Sequence, residues 1–160
     1  MIKILEDIDV NALLDCYQMI SNSIEWFDYE KGRQAGLQYR IGENPWLSAV
    51  GKSKGDDLSI KEINPQIKCT EFEKIINKFN LSRTRLLWVK PFVCYSMHRD
   101  DSPRIHIPLI TNKDCYFVFK YSIPTHLSVG HVYQVDTRNF HTFVNCSEHH
   151  RLHIVGAVDN

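Results

Sequence analysis

The sequence predicts a mainly β protein, a sandwich or barrel, with its helices at the front of the chain. After residue 82 the chain consists of short runs rich in β-branched and aromatic residues, separated by Asp, Pro, Gly, Asn or Ser. Many short strands at near-regular spacing are typical of these folds. The runs cover residues 83–90, 95–98, 105–111, 116–121, 131–136, 142–145 and 151–158.

Two helices are predicted before residue 82. Apolar residues recur at helical spacing over residues 9–22, and Asp9 stands where it can cap the first turn. Thr70 and Glu73 form a capping-box pattern that opens a second helix, which would bury Phe72. We expect both helices to pack on the outside of the β core.

The segment 24–65 lacks clear periodicity and is rich in glycine. So long an irregular segment within one domain is more often a functional loop or lid than spare chain. Inside it, residues 33–40 fit a short strand from which Arg33 and Arg40 would face a substrate, and a solvated loop fits equally well. We therefore predict one domain over 1–160, with helices and a lid in 1–82 and the β core in 83–158.

The composition is that of an ordinary globular protein and argues against two classes of partner. Nineteen Lys and Arg residues balance nineteen Asp and Glu residues, so no net field attracts nucleic acid or an anionic membrane. Acids come too early for a signal peptide, and no run reaches membrane-spanning length, which favours a cytoplasmic location. Five scattered cysteines without a C-x-x-C pair predict reduced thiols. The oligomeric state stays open.

Three side chains of the β region form a candidate metal site. Alternate side chains of an extended segment share a face, so His98 and Asp100 can grip one ion together. With His141 from a later strand they make a facial triad, the ligand set that suits non-haem Fe(II) because it leaves coordination positions open. The chain holds eight histidines, so a chance H-x-D pair at a polar strand end is the alternative.

Two of the predicted strands repeat a pair of basic side chains on one face. Alternation places Arg104 beside His106 on the first strand, and Arg151 beside His153 on the last one. Arginine on the inner face of an apolar strand is costly to bury without an anionic partner. A dicarboxylate would supply that partner, because a guanidinium binds a carboxylate through two parallel hydrogen bonds. The alternatives are an internal acid such as Asp136 for Arg151, and structural hydrogen bonding for the others.

These motifs, taken in order, resemble one known family. Over roughly residues 85–158 they look like the aspartyl/asparaginyl β-hydroxylase family of Fe(II)/2-oxoglutarate oxygenases, while the first half of the chain is only loosely similar. The matching residues are His98-Arg99-Asp100, Arg104-Ile105-His106-Ile107-Pro108-Leu109-Ile110-Thr111-Asn112, Gly130, Tyr133, Asp136-Thr137, His141, Asn145 and Arg151-Leu152-His153-Ile154-Val155.

The resemblance implies a fold, a reaction and a set of cofactors. The fold is the double-stranded β-helix, the jelly-roll or cupin-like fold, with iron at one mouth of the barrel. The reaction consumes O2 and decarboxylates 2-oxoglutarate to succinate and CO2 while a substrate C–H bond is hydroxylated. The substrate would be a free amino acid, a similar metabolite, or a peptidyl aspartate or asparagine. The chain is shorter than the animal members of the family, which disfavours a protein substrate.

The resemblance also implies roles for the metal-site residues. His98 and His141 match the two metal histidines of the family. Some members have glycine where the carboxylate ligand stands, whereas this chain has Asp100, which restores the full triad. The neighbouring Asp101 would compete for that role, but its side chain should point to the other strand face.

The remaining roles concern the cosubstrate. Arg151 matches the arginine that binds the distal carboxylate of 2-oxoglutarate, and Arg104 and His106 match residues near its other end. His153 would line the substrate side of the pocket or simply pack. Two other functions are weighed against this one: a non-catalytic metal- or acid-binding jelly-roll module, and a cupin-type enzyme that uses its metal without 2-oxoglutarate. Arg151 argues against the second of these, since a buried arginine facing a metal requires an anion between them.

Overall fold

The structure is a computed structural model that describes residues 1–159, and it is mainly antiparallel β. Strands account for 37% of the residues and helices for 18%. The two α-helices are α1 (Val10–Ile20) and α2 (Glu71–Lys78), and three 3-10 turns lie at Ser21–Ser23, Asp57–Ser59 and Pro65–Ile67. The strands are β1 (Ile2–Asp7), β2 (Phe27–Tyr29), β3 (Gly32–Gly36), β4 (Gln38–Tyr39), β5 (Glu62–Ile63), β6 (Ser82–Val89), β7 (Val93–Cys94), β8 (Arg104–Ile110), β9 (Cys115–Phe119), β10 (His131–Val135), β11 (His141–Asn145) and β12 (Arg151–Ala157).

Ten of the strands form two sheets that pack face to face. The large sheet has the order β1-β10-β8-β12-β6-β3-β2 and the small sheet has the order β7-β11-β9, while β4 and β5 pair separately. All of these pairings are antiparallel. From β6 to β12 each strand lies in the sheet opposite to the strand before it. The second half of the chain therefore winds between the two layers.

The outer face of the large sheet carries the main apolar core. Both helices contribute buried residues to it, among them Leu13 and Phe72, which join Leu86, Leu152 and Ile154 of the sheet. The prediction that the helices pack outside the β core is confirmed. Alternation then turns the intervening residues of β6, β8 and β12 toward the small sheet.

Six of the seven predicted strands are present with ends shifted by at most two residues. The exception is the run 95–98, because β7 lies just before it at Val93–Cys94. Within that run only His98 keeps a β-bridge, and its partner is His141. The chain leaves regular pairing at this point, so the candidate metal residues stand at the edge of the small sheet.

The first half of the chain contributes more strand than its pattern predicts. β1, β2 and β3 all join the large sheet, at its two ends. β3 lies unusually close to β6, since a Cβ on Gly32 would stand 2.0 Å from the carbonyl oxygen of Trp88. Residues 32–36 are therefore a strand rather than a solvated loop, and only glycine fits at its first position.

The helix caps agree with the sequence in one case and differ in the other. The Asp9 carboxylate accepts the Asn11 amide at 2.9 Å, as predicted for α1. At α2 the capping box is wrong in detail, because the Thr70 hydroxyl donates to the Ile67 carbonyl at 2.6 Å. Glu73 instead accepts the amide of Cys69. Within residues 1–159 no helix is long and apolar enough to cross a membrane.

Candidate functional site

Two imidazoles meet at the edge of the small sheet. The amide of His98 donates to the carbonyl of His141 at 2.9 Å, and the reverse bond is 2.8 Å long. This antiparallel bridge brings the two ring centroids to 4.4 Å. His141 is buried at the start of β11, whereas His98 is exposed. The pair therefore reaches from the interior, at His141, to the surface, at His98.

In both rings the Nδ1 atom is hydrogen bonded to a backbone carbonyl. Nδ1 of His98 lies 2.7 Å from the Ser96 carbonyl, and Nδ1 of His141 lies 2.9 Å from the Asn139 carbonyl. A carbonyl oxygen can only accept, so each Nδ1 carries a proton, and in the neutral form of either ring the lone pair is on Nε2. Burial lowers the pKa of His141, which keeps this ring neutral at pH 7. Metal-binding histidines are oriented by the same kind of contact.

Asp100 lies near the imidazoles but is bonded elsewhere. Its Oδ2 accepts from Nε of Arg104 at 3.1 Å. Burial acts to raise the pKa of Asp100, but the Arg104 charge and hydrogen bond, with a smaller effect of His141, bring it below the ordinary value. Across the described residues 1–159, no group of three or more His, Cys, Asp or Glu side chains is arranged to hold a metal ion. In the structure the two imidazoles therefore lie side by side, whereas the carboxylate of Asp100 is hydrogen bonded to Arg104.

Arg104 is neutralised by acids of the chain itself. Its side chain is 2% exposed and donates to Asp57 as well as to Asp100. Its third contact is with the hydroxyl of Ser102 at 3.2 Å. Asp57 comes from the segment 24–65 and also accepts from Arg83 at 3.2 Å. Structural hydrogen bonding accounts for every nitrogen of this guanidinium.

Arg151 is equally buried but has no acidic partner. It is 1% exposed, and no carboxylate within residues 1–159 forms an ion pair with it. Its guanidinium lies over the Phe143 ring, 3.8 Å from the centroid, and its Nε is 2.9 Å from the His153 ring. Burial lowers the pKa of Arg151 to about 10, so it remains charged at pH 7. Asp136, the internal acid that could have paired with it, accepts from Arg138 instead.

His106 and His153 line the wall between Arg151 and the imidazole pair. The His153 and His106 rings are 5.9 Å apart, His106 lies 5.5 Å from Phe117, and the Phe117 ring stacks on His141 at 5.0 Å. Burial first, and then the charge of Arg151, lowers the pKa of both histidines well below the ordinary value. Nδ1 of His106 is buried and has no hydrogen-bond partner. This wall presents neutral rings and one free polar atom to the interior.

A second arginine and two tyrosines complete this interior group. Arg85 pairs in register with Val155 of β12, which in turn pairs with His106 of β8, so the three side chains share the inner face. Its Nε is buried without a partner, and burial lowers the pKa of Arg85 to about 9. The Tyr29 and Tyr95 hydroxyls hydrogen bond to each other beside Arg85 and Arg151. Arg85 and Arg151 thus lie on the same inner face, and neither forms an ion pair with an acid of residues 1–159.

Comparison with known proteins adds no relative. No protein-family model matches this sequence, and no curated protein matches it either. The site is therefore interpreted from its own geometry.

The two arginines predicted to face a substrate lie away from this group. Arg33 pairs with Trp88 on the opposite face of the large sheet, and its guanidinium lies between Trp26 and Trp88 at 4.4 and 5.0 Å from their centroids. Arg40 binds Asp56 and lines a separate cavity of about 270 Å³. The structure brings neither of them to the imidazole pair.

Arg85 was missed by sequence reasoning although a signal for it exists. It lies in the predicted strand 83–90, two residues after Arg83, so alternation places both on one face. The same rule selected Arg104 and Arg151. Asp57 carries no such signal, because it lies in the irregular segment 24–65 and reaches Arg104 over 47 residues.

Proposed function

We propose that this chain is an Fe(II)- and 2-oxoglutarate-dependent oxygenase, similar to the aspartyl/asparaginyl β-hydroxylases, that hydroxylates an amino-acid-like substrate. One observation carries the proposal. A pair of imidazoles whose Nδ1 atoms are bonded to backbone carbonyls lies between the surface and the interior, and the interior holds a buried arginine that no acid of residues 1–159 neutralises. A metal would sit at the first feature and an anion at the second, and the rings of Phe117, His106 and His153 connect the two.

The strand order supports a jelly-roll, cupin-like arrangement. β6, β8, β10 and β12 lie in the large sheet, while the strands between them, β7, β9 and β11, lie in the small one. A double-sheet jelly roll is built by this kind of alternation. The imidazole pair then falls at one mouth of the two-layered core, where ligand sites of such folds are expected.

Iron would be held by His98, His141 and Asp100. The two Nε2 lone pairs suit a divalent transition metal, and two imidazoles with one carboxylate leave three positions open for cosubstrate and O2. In this structure Asp100 is bonded to Arg104 and is not arranged with the imidazoles as a ligand group, so binding iron would require its carboxylate to turn toward them and to be shared with Arg104.

The cosubstrate would be held by the interior cations. Arg151 suits the distal carboxylate of 2-oxoglutarate, since a planar guanidinium binds a carboxylate through two hydrogen bonds. Arg85 and the free Nδ1 of His106 offer further contacts along the same wall. In the structure Arg104 forms ion pairs with Asp57 and Asp100, so we assign the binding of the 2-oxoglutarate carboxylate to Arg151 and Arg85 instead.

When bound together, iron, 2-oxoglutarate and O2 would supply the chemistry that converts a substrate C–H bond to C–OH, with succinate and CO2 as coproducts. The protein itself would position the cosubstrate and the substrate and would enclose them. Phe117 and Phe143 form an apolar wall that keeps water from the interior cations. At the opening Met97 and Phe140 are half exposed, and Arg99 lies over Phe140 at 5.6 Å. This rim suits a substrate with a carboxylate and a short apolar part.

The first test is an anaerobic titration of the Fe(II)-loaded protein with 2-oxoglutarate, followed by visible absorption. Chelation should produce a weak charge-transfer band in the wild type. Arg151→Ala should lose it, and Arg138→Ala is the matched control because that guanidinium lies on the surface against Asp136.

The possible results of this titration favour different functions for the site. A band that survives Arg151→Ala would move the anion site elsewhere. Iron binding without a band would favour the cupin-type enzyme that works without 2-oxoglutarate. No iron binding at all would favour the non-catalytic module.

A further inference from the structure

Asp57 lies buried at the centre of an ion network beside the candidate metal site. It is 4% exposed, although its neighbours Asp56 and Gly55 are exposed. Its Oδ1 accepts from the Ser53 hydroxyl at 2.7 Å, and its Oδ2 accepts from both Arg83 and Arg104. Burial acts to raise the pKa of Asp57, but Ser53 and the two guanidiniums bring it below the ordinary value. The carboxylate is therefore ionised and fully bonded.

Arg104 divides its donors among three partners. Nη2 donates to Asp57, Nε donates to Oδ2 of Asp100 at 3.1 Å, and Nη1 donates to Ser102. Nε and Nη2 form the edge with which a guanidinium grips both oxygens of one carboxylate. Nη2 is directed at Asp57, so in this structure the edge meets only one oxygen of Asp100, through Nε. Oδ1 of Asp100 makes no hydrogen bond to any other described residue.

Arg83 fixes the other side of Asp57. Its Nε donates to the Ala49 carbonyl at 3.0 Å and its Nη2 to the Gly51 carbonyl at 2.7 Å. Its own backbone has φ +48°, in the left-handed region that arginine rarely adopts. Arg83 is thus held by two backbone carbonyls and binds Asp57 through one contact, and a residue kept in this strained conformation indicates that the position of the buried acid is specified.

We propose that Asp57 is a positioning residue for the metal site, acting through Arg104. By holding Nη2, it prevents the guanidinium from closing on both oxygens of Asp100 and so keeps one oxygen available to a cation. The inference rests on the proposed function, since it requires that Asp100 bind a metal. It assigns a role to the segment 24–65, where the sequence carries no motif.

The test is the affinity of the protein for Mn(II), measured from the EPR signal of the free ion, with no turnover required. Asp57→Asn leaves a neutral amide, which holds Nη2 more weakly than a carboxylate does. We expect Mn(II) affinity to fall about tenfold or more, as for other groups that orient metal ligands. Asp56→Asn is the matched control, since this neighbouring acid binds Arg40 at the surface and should leave the affinity unchanged.

A double-mutant cycle separates positioning from general structural damage. If Asp57 acts through Arg104, then Asp57→Asn should have no further effect on Mn(II) affinity once Arg104→Gln is present. An equal loss in both backgrounds would overturn the proposal. Should Asp57→Asn fail to fold, Ser53→Ala removes only the hydroxyl that orients Asp57 and should weaken Mn(II) by about threefold. An unchanged affinity in that variant would equally overturn it.

The outcome also distinguishes this inference from the function on which it rests. Mn(II) binding by the wild type that Asp57→Asn does not change would refute the positioning role and leave the oxygenase proposal standing. A wild type that binds no Mn(II) would refute both.

Discussion

Replacing Arg151 by methionine should stabilise the ligand-free protein, whereas the same change at Arg104 should destabilise it. Both side chains are buried, at 1% and 2% exposure, and both lie on the inner face of the large sheet. They differ in their partners, since Arg104 binds two carboxylates and Arg151 binds none. Comparison of the two variants therefore tests whether the interior holds an unneutralised cation.

The magnitude follows from the pKa of Arg151, which burial lowers from the ordinary arginine value to about 10. At about 1.4 kcal/mol per pKa unit, the buried charge costs the folded state about 3 kcal/mol. The folded pKa is the lower one, so this cost is complete below pH 10 and disappears as the pH rises past the ordinary arginine pKa. Methionine removes the cost but also loses the contact with Phe143 and a hydrogen bond to His153, worth together about 2 kcal/mol. The net gain is about 1 kcal/mol.

The opposite sign is expected for Arg104→Met. That change leaves Asp100 without its hydrogen-bond partner and Asp57 with only Arg83, and removing one partner of a buried pair costs about 3 kcal/mol or more.

Thermal unfolding followed by circular dichroism measures both effects. We expect the Tm of Arg151→Met to rise by about 2 to 4 °C and that of Arg104→Met to fall by more. With Mn(II) already present in both samples, added excess 2-oxoglutarate should raise the Tm of the wild type further but not that of Arg151→Met. A marked destabilisation by Arg151→Met would show that the guanidinium is a structural element, and the argument for an anion would fail.

Three further predictions follow from the site. His98→Ala and His141→Ala should each abolish Mn(II) binding while the circular dichroism spectrum is kept; wild-type affinity in either variant would remove that residue from the metal site. Arg85→Gln should weaken 2-oxoglutarate binding, measured by calorimetry, about tenfold, as expected for the loss of one charged hydrogen bond, and an unchanged affinity would leave only Arg151 in the anion site. The free energy of unfolding in urea should fall as the pH drops below 6.5, by up to about 1.4 kcal/mol per pH unit for each of His106 and His153. These rings have lowered pKa values in the folded state and take up protons on unfolding, so equal stability at pH 7 and pH 5 would contradict their burial as neutral groups.

Strand alternation accounts for most of what could be predicted. It places Arg151 and His153 on one face of β12, and Arg104 and His106 on one face of β8, and the structure has them there. Alternation is local, because a strand that buries one face must turn every second side chain the same way. It does not say which acids reach those side chains from other parts of the chain. For this reason Arg104 and Arg151 have similar sequence contexts, although only Arg104 has acidic partners in the structure.

The contacts that could not be predicted are the long-range ones. Asp57 reaches Arg104 from a segment without helical or strand periodicity, and no local pattern specifies such a pairing. β1 is a related case. Five of its six residues pair with β10, more than one hundred residues later, and the sequence around Ile4 is too short and too mixed in character to indicate a sheet partner. The periodicity of a segment indicates which of its faces is buried, whereas the residues that pack against that face depend on the whole fold.

The charges of the inner face suggest what kind of anion the interior takes. Asp57 and Asp100 neutralise Arg83 and Arg104 in one connected network. Arg85 and Arg151 remain, both charged at pH 7, with no ion pair to any acid of residues 1–159. In the metal-free protein, where iron does not take up one carboxylate of the ligand, these two unneutralised cations on the inner face are matched by a dianion, whereas a monocarboxylate would leave one charge buried at a cost of several kcal/mol. A dicarboxylate such as 2-oxoglutarate should therefore bind far more tightly than its monoamide or monoester, and calorimetry with such pairs tests the count of charges directly.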